Sequence, residues 1–271
     1  MKEIDQALLK KVIVKRPRSS HKGDYGRLLL IGGTYPYGGA IIMAALGAVR
    51  SGAGLVTVAT DKENISALHS HLPEAMAFDL GDKQLLEQQL QKANIVLLGP
   101  GLVDDERGEE LLQTVFHHSN QDQTLILDGG ALSIFAKTGM KFPKAQLVLT
   151  PHQREWQVLS GLDLDSQGTD ETGEALKKFP SGTILVQKGP ATRIWQAGQA
   201  DCYQLSVGGP YQATGGMGDT LAGMIAGFAG QFPRASLYER VTVATYLHSA
   251  IAQELAEDNY VVMPTTISQH I

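Results

Sequence analysis

Six short apolar runs, each closed by glycine or a polar turn, constrain this chain more than any other feature. Leu28-Leu29-Leu30-Ile31 stops at Gly32-Gly33-Thr34, and Leu55-Val56-Thr57-Val58-Ala59 follows. Ile95-Val96-Leu97-Leu98 stops at Gly99-Pro100-Gly101, and Leu125-Ile126-Leu127 at Asp128-Gly129-Gly130. Leu147-Val148-Leu149 stops at Thr150-Pro151-His152, and Ile184-Leu185-Val186 ends near Lys188-Gly189-Pro190. A continuous apolar run suits a strand buried on both faces. Helical patterns separate the runs, so the expected class is α/β, with a mostly parallel central sheet and helices on both faces. After residue 190, Thr192–Trp195 and Tyr203–Leu205 read as antiparallel strands joined by a glycine-containing turn. Two long helical patterns, near 218–230 and 235–256, complete the chain. No linker, low-complexity segment or internal repeat interrupts it, and residues 1–271 are expected to form one domain.

In open α/β sheets ligands bind beyond the carboxyl ends of the strands, and this chain puts its unusual residues there. The densest set is Ala213-Thr214-Gly215-Gly216-Met217-Gly218-Asp219-Thr220, which runs directly into an apolar helical pattern. Glycines let the backbone bend and approach a ligand closely. The free N–H groups and the positive dipole end of a starting helix attract anions. Asp219 would stand beside such an anion, placed to take a proton from an attacking hydroxyl. A tight turn followed by close helix packing explains the same glycines without a ligand. The two commonest phosphate loops, Gly-x-x-x-x-Gly-Lys-Ser/Thr and a complete Gly-x-Gly-x-x-Gly, are absent.

Other strand ends add candidates. His152 terminates one strand and Glu155 falls in the first turn of the next helix, where an acidic residue also favours the helix dipole. Lys188, Gly189, Pro190, Ala191 and Thr192 put a cation, a permissive glycine and a hydroxyl on one turn, a set that suits phosphate or nucleotide contact or a plain strand connection. The pairs His69/His71 and His117/His118 lack partners at metal-ligand spacing and read as solvated surface. Lys22, in His21-Lys22-Gly23, is a further candidate to meet an anion.

A net charge of −5 gives no support to a nucleic-acid partner. The single cysteine, Cys202, excludes an internal disulfide framework and fits a reducing compartment. The charged start Met1-Lys2-Glu3-Ile4-Asp5 lacks the apolar centre of a signal peptide. The longest apolar stretch, near residues 40–60, is interrupted by Arg50 and by glycines, too broken for a membrane span. A soluble, cytoplasmic protein with neither nucleic-acid nor membrane partners is expected.

The ordered set of motifs resembles the ADP-dependent NAD(P)H-hydrate dehydratases of the ribokinase-like superfamily. It comprises His21-Lys22-Gly23, Ile31-Gly32-Gly33, Arg50-Ser51-Gly52-Ala53-Gly54-Leu55-Val56, Gly99-Pro100-Gly101-Leu102, Leu149-Thr150-Pro151-His152, Lys188-Gly189 and Ala213-Thr214-Gly215-Gly216-x-Gly218-Asp219. The resemblance spans about residues 20–260. It implies a repair reaction, in which the hydrate of NADH or NADPH loses its water at the expense of ADP, releasing AMP and phosphate. Asp219 would be the base, and the N–H groups of Gly216, Met217 and Gly218 would hold the transferred phosphate. Ala40, Gly101, His152 and Asp219 would contact the hydrate. Lys188, Gly189, Pro190, Ala191, Thr192 and Gly218 would hold the adenine nucleotide. Glu155 would support Mg²⁺ through water. The resemblance also implies a homotetramer and an epimerase carried by a separate protein.

Two positions depart from the family pattern. Leu127-Asp128-Gly129-Gly130-Ala131 stands where Leu-Asp-Ala-Asp-Ala is usual, and Met217 where serine is more usual. Backbone groups bind the anion, so Met217 should matter little; Gly130 removes a carboxylate. Two rivals share the motifs in part. A hydroxyl kinase of the same superfamily, acting on a vitamin precursor or sugar, would use Asp219 identically and release a stable phosphorylated product. A nucleotide-binding relative without activity would retain the fold alone.

Overall fold

The computed structural model describes residues 1–271. Nine strands form one sheet: β1 (Arg27–Ile31), β2 (Leu55–Thr60), β3 (Met76–Asp79), β4 (Ile95–Leu98), β5 (Thr124–Leu127), β6 (Gln146–Leu149), β7 (Ile184–Gln187), β8 (Arg193–Gln196) and β9 (Tyr203–Gln204). Their order is β3-β2-β1-β4-β5-β6-β7-β8-β9. All pairings from β3 to β7 are parallel, and β8 and β9 join antiparallel. The six apolar runs are β1, β2, β4, β5, β6 and β7, and the antiparallel pair after residue 190 is β8 and β9. β3 is the strand that the apolar-run criterion does not detect. It lies at the sheet edge, and exposed Met76 opens it.

The period-2 alternation of a strand sends successive side chains to opposite faces. Leu28, Leu30, Val56, Val58, Ile95, Leu97, Ile126 and Val148 meet a core made by helices Gly38–Arg50, Met217–Ala229 and Leu237–Leu255. Leu29, Ile31, Val96, Leu98, Leu125, Leu127, Leu147 and Leu149 face the opposite core, which contains Phe135 and Trp156. Both faces are therefore covered, as the unbroken apolar runs require.

Helices Gly38–Arg50 and Met217–Ala229 pack unusually close. A methyl group on Gly223 would overlap the Ala44 carbonyl, and one on Gly47 would come 2.7 Å from the Thr220 carbonyl oxygen. Small residues in this helix pair thus have a packing cause. The packing reading of residues 213–223 therefore holds at Gly223, in the middle of the helix. The contact fixes the start of Met217–Ala229 at the carboxyl end of the sheet.

Candidate active site

The chain reverses at Gly216, which has φ 90° in the left-handed region and caps the helix that Met217 begins. Only glycine takes that conformation without strain. No side chain caps this terminus, so its first N–H groups remain available to a ligand. Asp219 lies in its first turn and is half-buried. Burial and the neighbouring Asp128 carboxylate push its pKa up to about 6, against the lowering effect of Lys188. It is therefore mostly ionised at neutral pH, yet far more basic than a solvated aspartate.

Lys188, just past the end of β7, reaches the same point. Its Nζ is 2.9 Å from Asp128 Oδ1, with the lysine side chain 20% and the aspartate side chain 4% exposed. Asp128 also accepts from the Thr150 hydroxyl at 2.6 Å. A methyl group on Gly218 would lie 3.2 Å from Lys188 Nζ, so the ammonium sits over the helix start. Burial by itself would lower the lysine pKa, but Asp128, Glu155 and Asp219 outweigh it and hold the ammonium charged.

His152 and Glu155 have a structural role that their sequence positions only half disclose. They form a capping box on helix Gln153–Ser160: His152 Nδ1 accepts from the Arg154 and Glu155 N–H groups at 3.1 and 3.2 Å, and Glu155 Oε2 accepts from His152 N at 2.7 Å. Burial pushes the Glu155 carboxyl up to about 7. Burial and Lys188 lower the His152 pKa and keep the ring neutral.

A cavity of about 760 Å³ opens beside the helix start, lined by His152, Lys188, Gly189, Pro190, Thr192, Met217 and Gly218 among others, while Asp128, Glu155 and Asp219 are not part of its lining. The structure therefore brings His152 to the same cavity as the Lys188–Thr192 turn. Ala191 instead lines a neighbouring hollow behind that turn. Ala40 and Gly101 lie together: a methyl group on Gly101, where φ is 65°, would come 3.0 Å from Ala40 Cβ and overlap the Tyr37 carbonyl. Met43, one turn further along Ala40's helix, packs beneath Gly216. Lys22 lies just before β1, at the amino end of the strand, and does not line the cavity.

Sequence reasoning missed three contributors. Asp128 anchors Lys188, and its position at a strand end was the available signal. The segment Val207–Ala213 forms a cavity wall, foreshadowed by Gly208-Gly209-Pro210. His248, deep in helix Leu237–Leu255, also lines the cavity and carries no sequence signal.

Gly130 departs from the family pattern for a visible reason. A methyl group there would overlap the Leu102 carbonyl, and one on Gly99 would overlap the Asp128 carbonyl. The 99–102 and 128–130 turns interlock through their backbones, leaving no space for a side chain at 130.

An uncapped helix terminus, a carboxylate in its first turn and an ammonium above it, all at the carboxyl end of a mostly parallel sheet, belong to a protein of the ribokinase-like α/β fold. Ribokinase of Giardia lamblia shares the fold alone, at 12% identity and a TM-score of 0.58, covering 90% of this chain and 99% of that one. The chain belongs to the NAD(P)H-hydrate dehydratase family, whose match covers residues 28–271. A Streptococcus pneumoniae protein named ADP-dependent (S)-NAD(P)H-hydrate dehydratase is 71% identical over 271 residues, covering 100% of this chain and 93% of that protein. A structure from Streptococcus mutans, described as a hypothetical protein, superposes with a TM-score of 0.96 at 54% identity, covering 100% and 97% of the two chains. The Bacillus subtilis ADP/ATP-dependent NAD(P)H-hydrate dehydratase, co-crystallised with ATP and Mg²⁺, superposes at 0.80 with 29% identity, covering 95% and 91%.

Proposed function

We propose that this chain, acting as one domain, removes water from the S-hydrate of NADH or NADPH at the expense of ADP and releases AMP and phosphate. The observation that carries the reading is the pairing of Asp219 with an uncapped, glycine-entered helix terminus beneath Lys188.

Asp219 takes the proton of the hydrate's ring hydroxyl as that oxygen attacks the β-phosphorus of ADP. The N–H groups at Gly216, Met217 and Gly218 hold the transferring phosphoryl group, and Lys188 offsets its charge. AMP leaves. The carbon–oxygen bond of the new phosphate ester then breaks, driven by the ring-nitrogen lone pair; phosphate leaves, the neighbouring ring carbon gives up a proton to the departing phosphate, and the double bond of the dihydronicotinamide re-forms. Hydroxide is a poor leaving group, since water has a pKa of about 15.7; phosphate, with a second pKa of about 6, leaves readily. Ala40, Gly101 and His152 place the hydrate, while Lys188–Thr192 and Gly218 hold the nucleotide.

Mg²⁺ fits the donor set without an all-protein cage. No group of three or more His, Cys, Asp or Glu converges as a ligand set, and Mg²⁺ commonly binds through phosphates, water and one or two carboxylates. Asp128, Glu155 and Asp219 surround one ammonium, and burial, with the Asp128 charge adding to it, raises the pKa values of Glu155 and Asp219. Mg²⁺ would supply positive charge, with Glu155 holding it through water.

No helix is long and apolar enough to cross a membrane. We place the enzyme in the cytoplasm, as a homotetramer working after a separate epimerase that interconverts the two hydrate forms. The test is recovery of NADH absorbance from NADH hydrate on addition of ADP and Mg²⁺. ADP consumption with a stable phosphorylated vitamin precursor or sugar as product would point to the kinase instead.

A further inference from the structure

The cavity over Gly218 has a chemically mixed lining. One part is made by Lys188 and the helix start at Met217–Gly218, and suits an anion. The rest of its lining includes Pro190, Val207, Pro210 and Leu221, together with Thr245 and His248 on helix Leu237–Leu255. A flat apolar face with a few polar groups at its edge is what a heteroaromatic base requires. The Thr245 hydroxyl is already committed, donating to the Val241 carbonyl at 2.8 Å.

His248 is committed on one side only, where its ring hydrogen-bonds the Met217 backbone. The residue is 3% exposed, yet its Nε2 is buried with no hydrogen-bond partner in the protein. Most buried side-chain nitrogens are paired, and an unpaired one beside a cavity calls for an explanation. A proton role is not the explanation. Burial, and the Lys188 charge, push the ring's pKa down to about 4, against a raising influence from the Met217 backbone. Nor does the anion need it, since Lys188 and the backbone N–H groups already supply positive charge. A neutral imidazole has one donor and one acceptor nitrogen; with the donor turned to the Met217 backbone, Nε2 is left as an acceptor, which suits the exocyclic amino group of a purine base.

We propose that His248 is a specificity-determining residue of the nucleotide half-site, its unpaired Nε2 hydrogen-bonding the purine base of the bound nucleoside diphosphate. The inference rests on the reading that this cavity takes ADP. The contact satisfies a nitrogen that the protein alone leaves unpaired.

The test is calorimetric titration of the wild type, His248→Phe and His248→Gln with ADP and with inorganic pyrophosphate, which lacks the base. Phenylalanine keeps the ring volume and removes both nitrogens; glutamine keeps a donor and an acceptor. Loss of this contact should weaken ADP binding about tenfold in His248→Phe. His248→Gln should recover part of that loss. Pyrophosphate affinity, and the KM for the hydrate at saturating ADP, should stay at wild-type values. Equal ADP affinity in the wild type and His248→Phe overturns the assignment, and so does an equal loss for ADP and pyrophosphate. If His248→Phe fails to fold, His248→Gln and His248→Asn carry the same comparison. Absence of ADP binding by the wild type would instead overturn the nucleotide reading of the cavity itself.

Discussion

Lys188→Met should expose how tightly the site's charges depend on each other. The substitution keeps most of the side-chain volume and removes the ammonium. It leaves Asp128, whose side chain is 4% exposed, with only the Thr150 hydroxyl as a side-chain partner. Removing one member of a buried pair typically costs 3–5 kcal/mol, because a charge stays buried without compensation. Lys188 keeps 20% of its side-chain surface open to the cavity, so the lower end, about 3 kcal/mol, applies. At about 2–4 °C per kcal/mol for a chain of this size, the melting temperature should fall by about 6–12 °C. Replacing both members by neutral groups avoids the uncompensated charge, so Lys188→Met combined with Asp128→Asn should regain at least half of the loss. Differential scanning calorimetry of the wild type, both single variants and the double variant measures this cycle. ADP affinity should be low in both variants that lack Lys188. A double variant no more stable than Lys188→Met would refute the buried-pair argument.

Three more outcomes follow from the same geometry. Asp219→Asn should lower kcat about 10²–10⁴-fold with little change in ADP affinity, and the wild-type kcat/KM should lose activity on the acid side near pH 6, where Asp219 takes up its proton; a variant with half the wild-type turnover would remove Asp219 from the base role. Glu155 has a folded pKa of about 7, above the ordinary 4.5, so its ionisation opposes folding and its contribution to stability declines as pH rises from about 4.5 to 7. Glu155→Gln keeps an acceptor for His152 N and cannot ionise, so its melting temperature should exceed the wild type's at pH 8, by the equivalent of about 3 kcal/mol, and the two should converge near pH 5; a wild-type advantage that grows with pH would contradict the assignment. Gly130→Asp should force the Leu102 carbonyl aside at an overpacking cost of about 1–3 kcal/mol, raising the hydrate KM through Gly101 while leaving ADP binding intact; unchanged stability and KM would show that the turns are not interlocked.

Much of this arrangement is legible in the chain because strands buried on both faces must be apolar at every position. The runs in β1, β2, β4, β5, β6 and β7 announce themselves in that way. β3 does not, because an edge strand pairs on one side only, and Met-Ala-Phe-Asp is too short and too mixed to stand out. Gly216–Asp219 is legible because a helix that starts on glycine without a capping side chain is unusual locally. Lys188 was visible as a cation on a turn, but its partner Asp128 is 60 residues away and meets it only through the sheet order. Glu155 could be read as a helix-dipole residue or a site residue, and His152 as a site residue; the structure joins them in a capping box and sets only His152 at the cavity. His248 was invisible, since a histidine in an apolar helix has no local mark of what it faces. The glycine at 130 likewise gains its meaning from the Leu102 carbonyl, a contact of tertiary structure alone.

The central claim is that the hydrate's hydroxyl is phosphorylated before it leaves. The direct measurement uses NADH hydrate whose ring hydroxyl carries a heavy oxygen isotope, turned over with unlabelled ADP and Mg²⁺, with the products read by mass spectrometry. Attack of that oxygen on phosphorus followed by carbon–oxygen cleavage predicts the label in inorganic phosphate, one per NADH recovered, with AMP formed in equal amount. Label released into water, or NADH recovered without matching AMP, would contradict the account.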